Sequence, residues 1–453
     1  MNAARALYSV VTWCAQPLLR RKLRRRAVAE PGYGQAVGER FGRYPPPIDS
    51  LVSPSVSDPL GGFVWVHAVS LGETRAAAIL LAALRAQFPG MRLLLTHGTA
   101  TGRAEGEKLL QPGDVQVWLP WDTPGAVARF LSKFHPVIGI LMETEVWPNL
   151  VAGCRQRGVP LVLANARFNE KSLRKSQRLH WLARPAYAGL AAVWAQTEDD
   201  AARLRAIGAP VHGVLGNLKF DVVPDAAQLA HGRAWRASTG RPVVLLASSR
   251  EGEETMWLEN IKQKMASALD GQALAAINSE ANPVQWLVVP RHPQRFDEVR
   301  QLLERAGLSV SCRSLWAAGP EPADVWLGDS LGEMALYYGL ADVALLGGSF
   351  APLGGQNLIE AAACGCPVVL GLHTFNFAEA AERACAAGAA QRVGDMAAGV
   401  AAACALARDP GRHAAVRDVT LRFAAAHRGA ASATAAAVAS LLASAENYQI
   451  DSC

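Results

Sequence analysis

Carboxylates and cations gather where apolar runs stop. The run Gly62–Val69 leads into Ser70-Leu71-Gly72-Glu73, and Val137–Met142 leads into Glu143-Thr144-Glu145-Val146-Trp147-Pro148-Asn149. A carboxylate so placed can accept the proton of an attacking hydroxyl as a general base. Glu73 also has a plainer reading, because an acidic residue opening a helix stabilises the positive end of its dipole by a few tenths to about 1 kcal/mol. Glu143 and Glu145 lie one residue apart, so in extended chain they face opposite sides, and one can serve a site while the other caps or pairs. Downstream, Asn165-Ala166-Arg167 precedes Lys171, Arg174, Lys175 and Arg178. These cations read either as a solvated helix face or as charges suited to an anionic acceptor.

The second half repeats the arrangement with different chemistry. Ala247-Ser248-Ser249-Arg250-Glu251-Gly252-Glu253-Glu254 places small hydroxyl residues where a ligand can approach a helix N-terminus. Arg291 and His292 end another run and form a plausible clamp for a phosphodiester or carboxylate. Gly347-Gly348-Ser349 ends a third run, and Gly354-Gly355-Gln356-Asn357 precedes a helix with Glu360 in its first turn. Glycines allow close backbone approach, helix N–H groups bind phosphate, and a first-turn Glu can accept hydrogen bonds from two ribose hydroxyls.

The elements that position these residues alternate. Apolar strands at 62–69, 92–96, 115–119, 137–142, 160–164 and 191–196 are separated by helices, as a buried parallel sheet requires. A loop near 213–221 ends this series. Fresh strands follow at 243–247, 286–289, 325–327, 343–346 and 368–370, and the alanine-rich tail from about residue 411 reads as closing helices. The expected fold is α/β: two Rossmann-like domains facing a cleft, with ligands at the carboxyl ends of the strands. The expected divisions are an apolar and basic segment at 1–43, a first domain at 44–221 that includes the Pro-rich break Pro45–Pro47 and a polar stretch to Pro59, and a second domain at 222–453.

With 453 residues, about half of them apolar and a fifth charged, the chain is long enough for two full cores and is neither disordered nor a disulfide scaffold. Its eight cysteines are scattered and read as reduced packing residues; Cys364 and Cys366 are too close for a usual zinc knuckle. The net charge of +6 is an N-terminal property, since residues 1–43 hold nine Lys/Arg against two Glu. The uncharged run Ala6–Leu19 precedes Arg20, Arg21, Lys22, Arg24, Arg25 and Arg26. Fourteen helical residues rise about 21 Å, short of a bilayer's roughly 30 Å hydrocarbon core, so dipping into one leaflet fits better than spanning it. The flanking basic cluster suits anionic lipid and the cytoplasmic side. A solvated basic helix or a nucleic-acid patch is the alternative, but nucleic-acid binding calls for more than one basic cluster.

Taken together, HAVSLGE, METEVWPN, NARFNEKS, GNLKFD, ASSREGEE, VPRHPQRF, GDSLGEM, GGSFAPLGGQN and HTFNFAEA resemble the Kdo (3-deoxy-D-manno-octulosonic acid) transferase family of lipopolysaccharide synthesis. The resemblance runs from GERFGRY (Gly38–Tyr44) to His373–Ala380. It implies a GT-B glycosyltransferase fold, an inverting transfer of Kdo from CMP-Kdo to a lipid A precursor, no cofactor, no required metal, and a place on the cytoplasmic face of a Gram-negative inner membrane. It implies Glu73 as catalytic base and one of Glu143 and Glu145, here Glu145, as the second essential carboxylate. Ser70, Arg75, Glu143, Arg167 and Lys219 fall on the acceptor side, although Lys219 can instead pair with Asp221. Donor binding falls to Ser248, Arg250, Arg291, His292, Ser349, Gln356, Asn357 and Glu360, with Gly332, Glu333 and Met334 beside the cytidine. The family commonly has His at position 356 and Pro at position 361; Gln356 donates a hydrogen bond but cannot become cationic. The rival classes are a UDP-sugar enzyme on the same fold and a non-catalytic nucleotide-sugar or nucleic-acid binder.

Overall fold

The computed structural model describes residues 3–44, 60–268 and 284–450. The stretch Pro45–Pro59 and Cys453 lie outside the described residues. The chain forms two compact units, Met1–Asp221 with Arg428–Cys453, and Val222–His427.

The first unit is built on a seven-stranded parallel sheet: β1 (Phe63–His67), β2 (Arg92–His97), β3 (Val115–Trp118), β4 (Pro136–Met142), β5 (Leu161–Ala166), β6 (Ala192–Ala195) and β7 (Val211–Val214). The order is β3-β2-β1-β4-β5-β6-β7, so the chain builds outward from β1 and then returns to its other side with β4. Open α/β sheets bind ligands at such a reversal, because the loops after the two strands diverge and leave a crevice. Val64 and Val66 face one core layer with Leu80, while Trp65 faces the other against Phe130, ring centroids 4.9 Å apart. Helices therefore cover both faces, which is why the strands are continuously apolar.

The helix Ala430–Ile450 also belongs to this unit, which corrects its expected place in the second domain. Its Ala430, Ala431, Ala435 and Val438 are buried in the core layer that holds Leu80. Asp221 accepts hydrogen bonds from the Gly429 and Ala431 amides, both at 2.5 Å. A carboxylate from the end of the first segment thus caps a helix much later in the chain and offsets its unpaired N–H groups.

The second unit carries β8 (Val243–Ser249), β9 (Gln285–Pro290), β10 (Val310–Cys312), β11 (Val325–Leu327), β12 (Val343–Leu346), β13 (Val368–Leu370) and β14 (Ala390–Arg392). They are parallel in the order β10-β11-β9-β8-β12-β13-β14, and the reversal falls at β8, between β9 and β12. Both units have the parallel-sheet α/β architecture expected of Rossmann-like domains.

The basic N-terminal segment forms helices Ala3–Cys14 and Gln16–Ala29. The first packs on the first unit through Tyr8, whose hydroxyl hydrogen-bonds Asp122, and through Ser9, which donates to Asn149 Oδ1 at 3.0 Å. Its other side exposes Leu7, Val10, Val11 and Trp13. Among the described residues no helix is long and apolar enough to cross a membrane.

Candidate active site

At the reversal in the first sheet, the loop after β1 delivers Glu73. Ser70 caps the helix Leu71–Gln87 by accepting from the Glu73 amide, while Ser70 Oγ donates to Glu73 Oε1 at 3.2 Å and the Val69 amide donates to Oε2 at 2.9 Å. This resembles a capping box, with the Val69 amide in place of the Ser70 amide, so Glu73 ties down the helix start while its side chain remains only partly buried. Burial pushes its carboxyl up to about 7, the Val69 bond opposes the rise, and the charges of Glu143 and Glu145 add to it. A group balanced near neutrality can hold or release a proton at little cost, as a general base must.

Glu143 directly follows β4, the neighbouring strand. It sits at φ +58°, a left-handed conformation costly for a residue with a Cβ and characteristic of functional loops. Its Oε1 is 3.7 Å from Lys219 Nζ, so Lys219 pairs with Glu143, while Asp221 is taken up by the helix start at 429–431. Glu145 accepts from Trp147 Nε1 at 2.9 Å, and burial raises its carboxyl above the usual range. Ser70, Glu73, Glu143, Glu145 and Lys219 thus form one constellation. Two expected members stand apart from it. Arg75 is ion-paired with Glu105 at 3.1 Å on an exposed surface, and the Arg167 side chain is exposed after β5.

The loop carrying Glu143 and Glu145 is anchored by a residue the sequence reading passed over. The helix Pro148–Gln156 has no side-chain cap of its own, and Asp122 supplies one: Oδ2 accepts from the Asn149 amide at 2.9 Å and Oδ1 from the Leu150 amide at 2.7 Å. Asn149 Nδ2 returns a bond to the Asp122 carbonyl at 2.8 Å. No motif spacing marks Asp122; only the fold brings it there.

In the second unit, three strands side by side, β9, β8 and β12, end in candidate donor residues. Ser248, at φ +53°, lies with its hydroxyl 3.9 Å from Met334 Sδ. After β9, Arg291 Nε donates to Gln356 Oε1 at 3.2 Å, joining two expected donor residues from distant segments. His292 is held below the ordinary imidazole range by burial and then by the like charges of Arg250 and Arg291. An anion bound among these three would relieve that repulsion. Arg250 also pairs with Glu251 at 3.0 Å. Glu333 is held by Arg313 Nη2 at 2.8 Å and by the Ser330 hydroxyl, which fixes the turn containing Gly332 at φ +79°.

Beyond β12 the glycine loop is backbone-built. Gly348 adopts φ +71°, and a Cβ at Gly347 would fall 2.2 Å from the Ser248 carbonyl, so this pair of strand ends requires glycine. The fully buried Glu253 organises the loop by accepting from the amides of Gly348 (2.6 Å), Arg250 (2.9 Å), Phe350 (3.1 Å) and Ala351 (3.2 Å). Ser349 differs from expectation. It is fully buried, its hydroxyl donating to the Leu346 carbonyl and accepting from the Gly371 amide at 2.9 Å, so it ties β12 to the loop after β13. Asn357 caps the helix Leu358–Cys364 through the Ile359 amide at 3.1 Å, with Glu360 partly exposed in its first turn.

Residues 35–222 match the family model described as 3-deoxy-D-manno-octulosonic-acid transferase (kdotransferase). The chain is 51% identical over 378 residues to the 3-deoxy-D-manno-octulosonic acid transferase of Bordetella pertussis, covering 82% of this chain and 86% of the relative. To the enzyme of that name from Haemophilus influenzae it is 31% identical, over 83% of this chain and 84% of the relative. A solved UDP-GlcNAc 2-epimerase from Neisseria meningitidis, bound to UDP-GlcNAc, superposes over 84% of this chain and all of its own with a TM-score of 0.53 at 15% identity, a likeness of fold alone. With identity this high sustained over most of its length, the chain belongs to the 3-deoxy-D-manno-octulosonic acid transferase family.

Proposed function

We propose that this chain is a glycosyltransferase that moves Kdo from CMP-Kdo onto a lipid A precursor in lipopolysaccharide synthesis, with inversion at the anomeric carbon. The reading rests on family membership and, in the structure, on one observation above all: a carboxylate balanced at about 7 at the reversal of the first sheet. Glu73 takes the proton of the acceptor hydroxyl as its oxygen bonds to C2 of Kdo, and the bond from C2 to the phosphate oxygen breaks on the opposite face. Glu145 is the second carboxylate of the acceptor side. CMP leaves with the electron pair. A phosphate monoester departs readily when cations receive its growing charge, and Arg250, Arg291 and His292 are the groups suited to that.

The same reading extends to location. The exposed apolar face of the first helix, followed by the basic helix Gln16–Ala29, suits peripheral association with an anionic membrane surface, here the cytoplasmic leaflet of the inner membrane. Mass spectrometry of the acceptor after incubation with CMP-Kdo tests the activity: a mass increase of one or more Kdo residues supports it, and an unmodified acceptor with a competent donor supply rejects it. Calorimetric titration with CMP, UMP and UDP tests the donor, and tighter binding of a uridine nucleotide rejects the assignment of cytidine.

A further inference from the structure

The first unit contains a cavity of about 430 Å³ that the transfer chemistry leaves unused, within the size range of small-molecule sites. It is a notch between three helices, Ala3–Cys14, Pro148–Gln156 and His180–Tyr187. Its walls are apolar, from Val151, Leu182, Pro185, Ala186 and Trp181, the last 41% exposed. Two cations, Arg5 and Arg155, also line it. Among the described residues neither guanidinium makes a hydrogen bond or ion pair, although Arg5 is close enough to Asp122 to favour its ionised form. Apolar walls with two cations, one of them near the buried Asp122 and the other exposed, match one ligand chemistry: a hydrocarbon chain carrying a nearby anion.

Two further observations orient that ligand. Leu7 and Val11 lie on the side of the first helix that bears Ala4, at the cavity wall, and are 59% and 57% exposed, so an apolar surface continues from the cavity outward. The helix Pro148–Gln156 begins directly after Glu145 and Trp147, so one element both lines the cavity and positions the candidate acceptor loop. The Ser9–Asn149 and Tyr8–Asp122 bonds hold the first helix against it as a wall already formed. We infer that this cavity is a subsite for an acyl chain of the anionic lipid acceptor, with Arg5 and Arg155 meeting its negative charge. The inference rests on the transferase reading and adds to it where the acceptor's lipid part is held.

Two variants test it, Ala152→Trp, which fills the notch, and Arg155→Glu, which reverses an exposed charge. Steady-state transfer in detergent is compared for the acylated acceptor and for the same acceptor with its acyl chains removed. Ala152→Trp is expected to raise KM for the acylated acceptor about tenfold or more, a loss near one decade of affinity, with kcat and the deacylated reaction unchanged, whereas Arg155→Glu should raise KM for both acceptors, because the anion remains when the acyl chains are removed. Equal effects of Ala152→Trp on both acceptors, or no effect of either variant at a native thermal midpoint, overturn the assignment. Loss of binding to anionic phospholipid vesicles with unchanged acceptor kinetics also overturns it, in favour of bulk lipid. A separate arm needs no sugar transfer: dodecyl phosphate should bind the wild-type chain one to one by calorimetry, far more weakly to Ala152→Trp, while inorganic phosphate should not bind. If wild-type protein binds dodecyl phosphate in this way but transfers no Kdo, the functional reading fails and the cavity stands; if it transfers Kdo but ignores the amphiphile, the cavity fails alone.

Discussion

Lys219 Nζ stands 3.7 Å from Glu143 Oε1, so a lysine from the last loop of the first segment neutralises a carboxylate placed at the end of β4. That pair borders Glu73, whose carboxyl is raised first by burial and further by the charges of Glu143 and Glu145. Glu143→Gln removes one of those charges and should move the acid limb of the pH–rate profile to lower pH, by about a few tenths of a unit to one unit. Lys219→Met leaves the Glu143 charge uncompensated and should move it the other way. The measurement is kcat/KM between pH 5 and 9, and identical profiles for the three proteins would separate Glu143 from the base.

For the wild-type chain, transfer should rise with pH through about 7 as Glu73 ionises. Stability should run in the opposite sense. The folded chain keeps the Glu73 proton up to about 7 while the unfolded chain releases it near the ordinary value of 4.5. This contribution is therefore most favourable below 4.5, falls between 4.5 and 7, and is constant above. Glu73→Gln should accordingly gain thermal stability relative to wild type at pH 8 and little at pH 4.5, read as the difference in unfolding midpoint.

Gln356 holds Arg291 through a 3.2 Å hydrogen bond in the place where the family commonly has histidine. Gln356→Ala removes that hydrogen bond from the guanidinium and should raise KM for CMP-Kdo roughly three- to tenfold, equivalent to about 0.7–1.4 kcal/mol. Gln356→His should introduce a dependence of donor KM on pH between 5.5 and 7.5 that the wild-type residue cannot show. Donor KM at several pH values checks both.

Asp122 is buried and caps a helix from another loop, so its removal strands the Asn149 and Leu150 amides. Asp122→Ala should cost about 2–4 kcal/mol and appear as a lower urea midpoint for the unfolding of the first unit. Asp122→Asn, which keeps one acceptor, should lose less.

Most of the architecture was legible because parallel strands buried on both faces are written as uninterrupted apolar runs; Phe63–His67, Pro136–Met142 and Val343–Leu346 are examples. The strands that went unread are short and sit at sheet edges: Val211–Val214 and Ala390–Arg392 mix polar and apolar residues because an edge position buries less of them, and Val310–Cys312 is three residues long with a buried serine in the middle. The last helix was misplaced for a different reason. An alanine-rich surface packs against either sheet, and only the contact of Asp221 with the 429–431 backbone fixes its partner. At the site, Glu73 and Glu143 were visible as charges closing apolar runs. Ser349 and Glu253 were visible only as motif members, and their roles as buried ties for backbone groups follow from the loop geometry. Asp122 had no signature, since its partners come from a loop distant in sequence.

The most direct test of the account is single-turnover Kdo transfer by Glu73→Gln, with saturating CMP-Kdo and acceptor at pH 8. The substitution keeps the size and a hydrogen-bond acceptor for the Val69 amide while removing basicity. A loss of about a hundredfold or more in rate, within the range of general-base catalysis, with CMP binding unchanged, is the predicted result. Transfer at the wild-type rate would contradict it.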